Sequence, residues 1–472
     1  MSESQSYSKQ PNRREMLKYG LYGTIALSLP SLLWFPGCTE NHVKKKPNVF
    51  LITIDTLRAD YLGCYDSHLY TSPNIDRFAK EALLFENCYS HAPVTASSCA
   101  SILSGFLPHE TSVFSNLPLP AAVETLPVML KQHGYQSIAV VGNYILRKEM
   151  GWGKGFMIYD DIFPYLEQNR PIPEKVAEDV TNSAVNLLKK IKKDRLFMWI
   201  HFQDPHGPYT PPKKFSQQFV DSVHRPRYLR LNKTESGHGG IPYYQELGDN
   251  RDFNYYVSQY KAEIRYMDEN FKRLIDAIKE VGLYDDSLII FTSDHGEGMG
   301  EHDYYFAHGE NLYNILTHVP LIIKYGEVLK GRRADYVQHL DIVPTIRNVV
   351  GLKVDSRYRG RDLRFPLKRN PKIFAEMETD TLIDGVKFSL TVDDHKLIYI
   401  PFYKQYQFFD LKNDPHEAYN LVNDIKYRHY VKDFKERLHR IRRENLIGQK
   451  IVNQPPDLSE EEKAKLRSLG YL

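Results

Sequence analysis

Cysteine is scarce in this chain. Four occur among 472 residues, Cys38, Cys64, Cys88 and Cys99, and no two have Cys-x-x-Cys spacing. That argues against a disulfide scaffold, a structural zinc ribbon and a dithiol redox motif. An excess of charge of one sign is missing too: 62 Lys and Arg stand against 59 Asp and Glu, a net +3. Such a balance argues against nucleic acid as a partner and against an anionic tail. Internal repeats and low-complexity tracts are absent from the sequence. What is present is 42% hydrophobic, 12% aromatic and 26% charged residues, ample material for a folded core. At about 150 residues per domain the length fits three domains, or one large α/β domain with a small appendage. The 33 tyrosines read as amphipathic lining for clefts.

Residues 1–37 read as an export signal. Arg13 and Arg14 precede an apolar run over 21–35, and a basic start before a short apolar stretch is the pattern of a signal peptide. The run is short and contains Pro30, so it is a poor membrane span. The paired arginines resemble a twin-arginine signal. Phe35-Pro36-Gly37-Cys38 resembles a lipoprotein cleavage box, with Phe35 where Leu is usual. Cys38 would then carry a lipid and attach the exported protein to a membrane; the alternative is a plain signal peptide with an incidental cysteine. Residues 38–47, with Lys44, Lys45 and Lys46, read as a tether.

From residue 48 the pattern alternates. Apolar, β-rich runs lie at 48–54, 137–141, 196–201 and 288–292, and such runs read as buried parallel strands. Helical spacing covers 72–84, 122–134, 175–193 and 254–281. The expected fold class is α/β, a large, mostly parallel sheet covered by helices on both faces. Residues 215–252 read as an irregular insertion near a cleft mouth. After about 365 the pattern changes to short strands at 373–376, 385–392, 395–399 and 407–410, then a helix over 425–444. That predicts a catalytic domain over 48–365 and a C-terminal subdomain over 366–472, a small antiparallel sheet plus helix.

Polar residues cluster where three strands end: Asp55, the stretch 201–206, and the stretch 293–297. Open α/β sheets place their sites at such ends. Asp55, Asp294 and His295 offer carboxylates and an imidazole that can hold one divalent cation. An Asp at a strand end also serves commonly as a turn former or helix cap.

The wider pattern resembles the sulfatase family of the alkaline-phosphatase superfamily. The stretch from Asn48 to Tyr65 resembles the family's opening, as does Ser72-Pro73-Asn74-Ile75-Asp76. Asp204-Pro205-His206-Gly207-Pro208-Tyr209, Thr292-Ser293-Asp294-His295-Gly296-Glu297 and Gly300-Glu301-His302 follow in family order, then His308-Gly309 and Asp341-Ile342-Val343-Pro344-Thr345. Phe409-Asp410-Leu411, Asp414-Pro415 and the closing Leu469-Gly470-Tyr471 also fit. The resemblance implies an alkaline-phosphatase-like sheet and hydrolysis of sulfate or phosphate esters.

The departures are as informative. Sulfatases carry Cys-x-Pro-x-Arg, or Ser first, and convert the first residue to formylglycine. Here Thr95 falls at that position, with Ser97 for Pro and Cys99 for Arg, so no formylglycine is expected. Thr56 replaces the second opening aspartate, Asn143 lies where a Gly-Lys-x-His motif is lost, and His308 stands for a usual Lys. The remaining set, Asp55, Thr95, Asp294 and His295, resembles the metal site of phosphoryl-transfer members. The resemblance implies a cation bridging Thr95 and an ester oxygen, with Mn or Zn favoured over Ca by the imidazole. Thr95 would be the covalent nucleophile. His206 would protonate the leaving oxygen or stabilise charge, and Asn143 and His308 would donate hydrogen bonds. Asp204 would cap or orient His206. A second metal at Asp204, His206 and His308 is an open alternative, as is a solvated-loop role for His302 and His308. Arg58 and Asp60 are expected beneath the site, Cys99 as a buried apolar residue, and Cys64 with Cys88 as a candidate disulfide. Four readings stay open: a phosphoesterase, a sulfatase working without formylglycine, a phosphotransferase to a lipid or glycan, and a catalytically silent binding protein. The substrate would be a small-molecule, glycan or lipid ester, and nothing in the sequence fixes an oligomeric state.

Overall fold

The computed structural model describes residues 46–448 apart from 192–193, 221–224, 327–328, 354, 367 and 379–384. The expected export signal, Cys38 and most of the tether lie outside the described residues. From Lys46 onward the chain forms one compact unit. The described residues form fourteen strands, β1 Val49–Ile54, β2 Leu83–Tyr89, β3 Gln136–Val141, β4 Ile158–Asp160, β5 Tyr165–Leu166, β6 Pro173–Glu174, β7 Leu196–Phe202, β8 Leu288–Ser293, β9 His318–Tyr325, β10 Gly331–Gln338, β11 Ile373–Met377, β12 Lys387–Val392, β13 His395–Ile400 and β14 Gln405–Asp410.

Eight strands form one sheet in the order β10-β2-β9-β8-β1-β7-β3-β4. Its pairs are parallel except those of β9, which runs antiparallel to β2 and β8. β11 to β14 form a separate antiparallel sheet in sequence order, followed by the helix Arg428–Gly448. This is the mixed, mostly parallel α/β architecture with a small C-terminal sheet and helix that the sequence predicts.

The four central strands explain where the site forms. β1, β7 and β8 are buried along their whole length, as apolar runs require when both faces of a sheet are covered. Successive side chains alternate between faces. Val49 and Leu51, Ala139 and Val141, Phe197 and Trp199, and Leu288 and Ile290 all belong to the apolar core on one face. Phe50, Ile52, Ile138, Met198, Ile200 and Ile289 belong to the core on the other. Continuing the first row by steps of two reaches Asp55, Asn143, His201 and Asp294. The register sets Thr53 beside His201 and Ile54 beside Ser293, so Asp55 and Asp294 leave the sheet at the same level.

The long helix Phe253–Glu280 begins on Asp252, whose side chain accepts from the Asn254 N–H, an N-cap that satisfies one of the free donors of its first turn. It packs Tyr256, Tyr260, Ile264, Met267, Phe271 and Leu274 into the second core. The expected helix over 72–84 is observed as Pro73–Lys80, and Leu83 and Leu84 instead open β2. Among its described residues the insertion over 215–252 is irregular, holding the end of the short helix Lys213–Ser216, a helical turn at Tyr243–Gln245 and isolated bridges. Cys64, Cys88 and Cys99 are free thiols, so the candidate Cys64–Cys88 disulfide is not formed.

Candidate active site

Thr95 is the first residue of the buried helix Thr95–Ser104. Its hydroxyl therefore lies at the positive end of a helix dipole, where an anion is favoured. Thr95 Oγ1 is 3.5 Å from Asp55 Oδ1 and 3.5 Å from His295 Nε2. His295 Nε2 lies 3.8 Å from Asp55 Oδ1 and 3.7 Å from Asp294 Oδ2. These four side chains thus converge. Their spacings sit at or beyond the hydrogen-bond limit, yet match donors about 2.1 Å from one tetrahedral cation, which stand about 3.4 Å apart.

The polar bookkeeping points the same way. Asp294 Oδ1 accepts from the backbone N–H groups of His295 at 2.7 Å and Thr56 at 3.2 Å. Asp294 Oδ2 and His201 Nε2 are buried with no hydrogen-bond partner, and such groups are rare in folded proteins. Asp55, His201 and Asp294 each bring a donor atom within 4.8 Å of the others. Burial opposes the charge on Asp55, but the neighbouring imidazoles of His201, His206 and His295 hold it well below the usual carboxylate range. Burial, reinforced by the charge of Asp55, pushes Asp294 well above that range. Two buried carboxylates side by side call for a positive partner, so the residues present fit a divalent cation. His201 opens the polar stretch 201–206, and its position at the end of the β7 run is the sequence signal for it.

The three histidines of the cleft differ in state. His295 Nδ1–H donates to the Gly296 carbonyl at 2.9 Å, which leaves a lone pair on Nε2, and burial lowers its pKa to about 3. His206 Nδ1–H donates to the Gly207 carbonyl at 2.7 Å, and burial lowers its pKa to about 4. A neutral ring with a bare Nε2 takes a proton rather than gives one, which revises the expectation that His206 protonates the leaving oxygen. Burial works against a charge on His308, but the Glu297 carboxylate, 3.1 Å from its Nδ1, more than offsets this and raises its pKa. The ring centres of His206 and His308 are 5.2 Å apart, and those of His295 and His308 are 4.6 Å apart. Glu297 is fully buried and also accepts from Tyr209 Oη at 3.1 Å. Its role was not foreseen, although it closes the polar stretch after β8.

Asp204 does not orient His206. Its carboxyl is hydrogen-bonded to Glu263 of the long helix, and among the described residues Asp204, His206 and His308 form no metal-holding group. Asn143 reaches the site and donates to Asp55 Oδ2 at 2.6 Å. Thr56 has φ 53°, a strained value for a β-branched residue, and is held by Asp294 and by Tyr260 Oη, which donates to its carbonyl at 2.7 Å. Arg58 pairs with Asp60 and Glu301, as expected of residues supporting the site. His302 stacks on Tyr313 with ring centres 3.7 Å apart, so it is not a solvated loop residue. Cys99 is fully buried in the first core, and burial pushes its thiol well above the usual range. Arg170, which no motif singled out, lies over the Tyr244 ring, itself stacked beside His206.

Comparison with known proteins gives a consistent picture. The sulfatase family profile matches residues 47–352, and the C-terminal profile of N-sulphoglucosamine sulphohydrolase matches 300–444. An N-acetylglucosamine-6-O-sulfatase of Bacteroides thetaiotaomicron is 24% identical over 88% of this chain and 91% of its own length. A structure solved in complex with its substrate D-glucosamine-2-N,6-O-disulfate superposes with TM-score 0.72 at 20% identity, covering 88% of this chain and 100% of the other. A phosphonate monoester hydrolase of Agrobacterium radiobacter superposes with TM-score 0.67 at 20% identity, covering 88% and 99%.

Proposed function

Because the chain belongs to the sulfatase family of the alkaline-phosphatase superfamily, we propose that it hydrolyses phosphate mono- or diesters, with Thr95 as covalent nucleophile. The chain is a hydrolase of ester bonds of the sulfatase type. The observation that carries the finer reading is Thr95 itself, at the head of its helix and within 3.5 Å of Asp55 and His295. An alkyl sulfate formed on a threonine is very slow to hydrolyse at sulfur, and formylglycine chemistry escapes that by elimination. Thr95 has no such route, whereas a phosphothreonine ester is cleaved by attack at phosphorus. The fold also serves phosphorus chemistry in the phosphonate monoester hydrolase neighbour.

Asp55, Thr95, Asp294 and His295 would hold one divalent cation, Mn or Zn by donor type. When bound, such a cation lowers the pKa of a hydroxyl and offsets charge on ester oxygens. The chain's own residues do the rest. Thr95 Oγ1 would form a bond to phosphorus as the bond to the leaving oxygen breaks, and the hydroxyl proton would pass to solvent, since Asp55, held well below the usual carboxylate range, is too weak a base to keep it. His308, kept cationic by Glu297, gives the leaving oxygen its proton. In the second step His206 Nε2 takes a proton from water as the water attacks phosphorus, and the departing Thr95 oxygen regains a proton from solvent. The substrate class is a small-molecule, glycan or lipid ester. The N-terminal segment supports export, with Cys38 as the site of lipid attachment.

A second reading, sulfate-ester hydrolysis without formylglycine, is favoured by the likeness to the N-acetylglucosamine-6-O-sulfatase of Bacteroides thetaiotaomicron. Parallel assays of metal-loaded protein on nitrophenyl phosphate, its phosphodiesters and nitrophenyl sulfate separate the two. The phosphate esters are expected to be turned over faster, and intact mass during turnover should show one phosphoryl group added. Thr95→Ala should lower kcat at least about 1000-fold. A faster sulfate assay reverses the substrate assignment, and a Thr95→Ala variant with more than a few per cent of the rate removes Thr95 as nucleophile.

A further inference from the structure

Two imidazoles face the Asp55 carboxylate, one from each side. Oδ1 looks toward Thr95 and His295, while Oδ2 looks toward Asn143 and His201, whose Nε2 lies 3.6 Å away. By proximity alone His201 is the stronger candidate, since it, and not His295, groups with Asp55 and Asp294 as a possible metal-holding set. The hydrogen bonds behind the two rings distinguish them.

The Trp199 indole has a donor and no acceptor, and its Nε1–H points at Thr53 Oγ1 at 2.9 Å. Thr53 Oγ1 therefore accepts from Trp199. Its own hydrogen is then free to bond His201 Nδ1, 2.8 Å away. All three residues are fully buried, so no solvent competes for these groups. A His Nδ1 that accepts a hydrogen bond is unprotonated, and in a neutral ring the proton is then on Nε2. His295 is the reverse, since its Nδ1–H is donated to a carbonyl and its Nε2 carries the lone pair. The pleat makes the relay possible: Leu51 and Thr53 on β1 are in register with Trp199 and His201 on β7, on one face of the sheet.

We infer that His201 is not a metal ligand but a positioning residue, locked by the Trp199–Thr53 relay as an Nε2–H donor toward Asp55 Oδ2. With Asn143 it would turn the Asp55 carboxylate so that Oδ1 faces the cation. The inference rests on the proposed cation site at Asp55, Thr95, Asp294 and His295. It deepens that reading by assigning opposite tautomers to the two histidines that flank Asp55. Outer partners of this kind typically tune metal affinity about 10–100-fold.

The test is nitrogen NMR of the full chain labelled with 15N-histidine, before and after loading with cadmium-113 alone. Loss of signals in His201→Gln and His295→Gln assigns the two rings. The expected result is a protonated Nε2 and unprotonated Nδ1 on His201 in both states, with cadmium–nitrogen coupling at His295 Nε2 and none at His201. Coupling at His201, or a proton on its Nδ1, overturns the inference. Absence of coupling at any histidine would instead defeat the cation-site reading, while the His201 shifts in the metal-free protein still decide its tautomer. Thr53→Val supplies a second measurement. It should mix the His201 tautomers and weaken cadmium binding about 10-fold, with Thr53→Ser restoring both. A purely packing role for Thr53 would lower the melting temperature without moving the His201 nitrogen shifts, and that result also overturns the relay. His201→Gln, which keeps an N–H donor, should bind cadmium within about 3-fold of wild type, and His201→Leu about 10–100-fold more weakly.

Discussion

Asn143 donates its side-chain N–H to Asp55 Oδ2 at 2.6 Å, reaching from the end of β3 across β7 to the end of β1. Its amide oxygen accepts from the Ile145 N–H at 2.9 Å, which fixes which way the amide points. Removing it frees one oxygen of a buried carboxylate that the site needs in a fixed orientation. Asn143→Ala should lower metal affinity and kcat about 10–100-fold, measured by equilibrium dialysis and steady-state kinetics. Unchanged values of both would take Asn143 out of the site.

Chelation should destabilise the fold. A ligand that binds only the native state adds about 4 kcal/mol at a free concentration 1,000 times its Kd. For a chain of this size that corresponds to several degrees in Tm. Scanning calorimetry before chelation, after it and on return of Mn or Zn should show the loss and its recovery. A Tm indifferent to all three treatments would mean that the cluster holds no ion.

The Asp204–Glu263 pair predicts a pH dependence of stability. Burial first, then the charge of Asp204, raises Glu263 well above its ordinary range, and burial raises Asp204 as well. Glu174 adds negative charge to Glu263, and Asp179 adds it to Asp204. Both folded pKa values exceed the unfolded ones, so the native state binds the shared proton more tightly. The contribution is full below the unfolded pKa of about 4 and is lost as pH rises through the folded values. Glu263→Gln keeps a donor for Asp204 that does not titrate. Between about pH 5 and 8 its Tm should fall less steeply with pH than that of the wild type. Parallel curves would show that the pair shares no proton.

Lys396 and Glu417 form a fully buried ion pair, Nζ to Oε1 3.0 Å. Lys396 Nζ also donates to Asn314 Oδ1 at 3.0 Å, and Glu417 Oε2 accepts from the Asn314 N–H at 2.5 Å. Lys396→Met strands a buried carboxylate and should cost about 3–5 kcal/mol in denaturant unfolding, with much of the loss recovered in Lys396→Met/Glu417→Gln. A double variant as unstable as the single one would show that the loss comes from packing.

Much of this was legible in the sequence because strand ends announce themselves. An apolar run that stops at a charged residue gave Asp55, Asp294 and His295, and these do converge. Four strands of the large sheet were hidden, β2, β4, β9 and β10. β9 contains Pro320, which cannot donate to a ladder, and the β2–β9 register shifts between Phe85 and Cys88, the level of that proline. β10 opens with exposed Gly331 and Arg332 on the sheet edge, where alternation is weak. The state of each histidine was not readable either. His206, His295, His201 and His308 are the same residue type, and only the group behind each Nδ1, a carbonyl, a hydroxyl or a carboxylate, tells them apart.

Asn143, His201 and Asp294, which converge on Asp55 from the neighbouring strands, continue with it rows that begin in the apolar core. Deleting one residue from β1, β3, β7 or β8 would swap inside for outside along that strand and carry its functional group to the opposite side of the molecule. Chemistry and solubility would fail in the same event. Variation among descendants of this gene is therefore confined, in these four segments, to exchange at constant length, and new specificities must come from what is threaded between them.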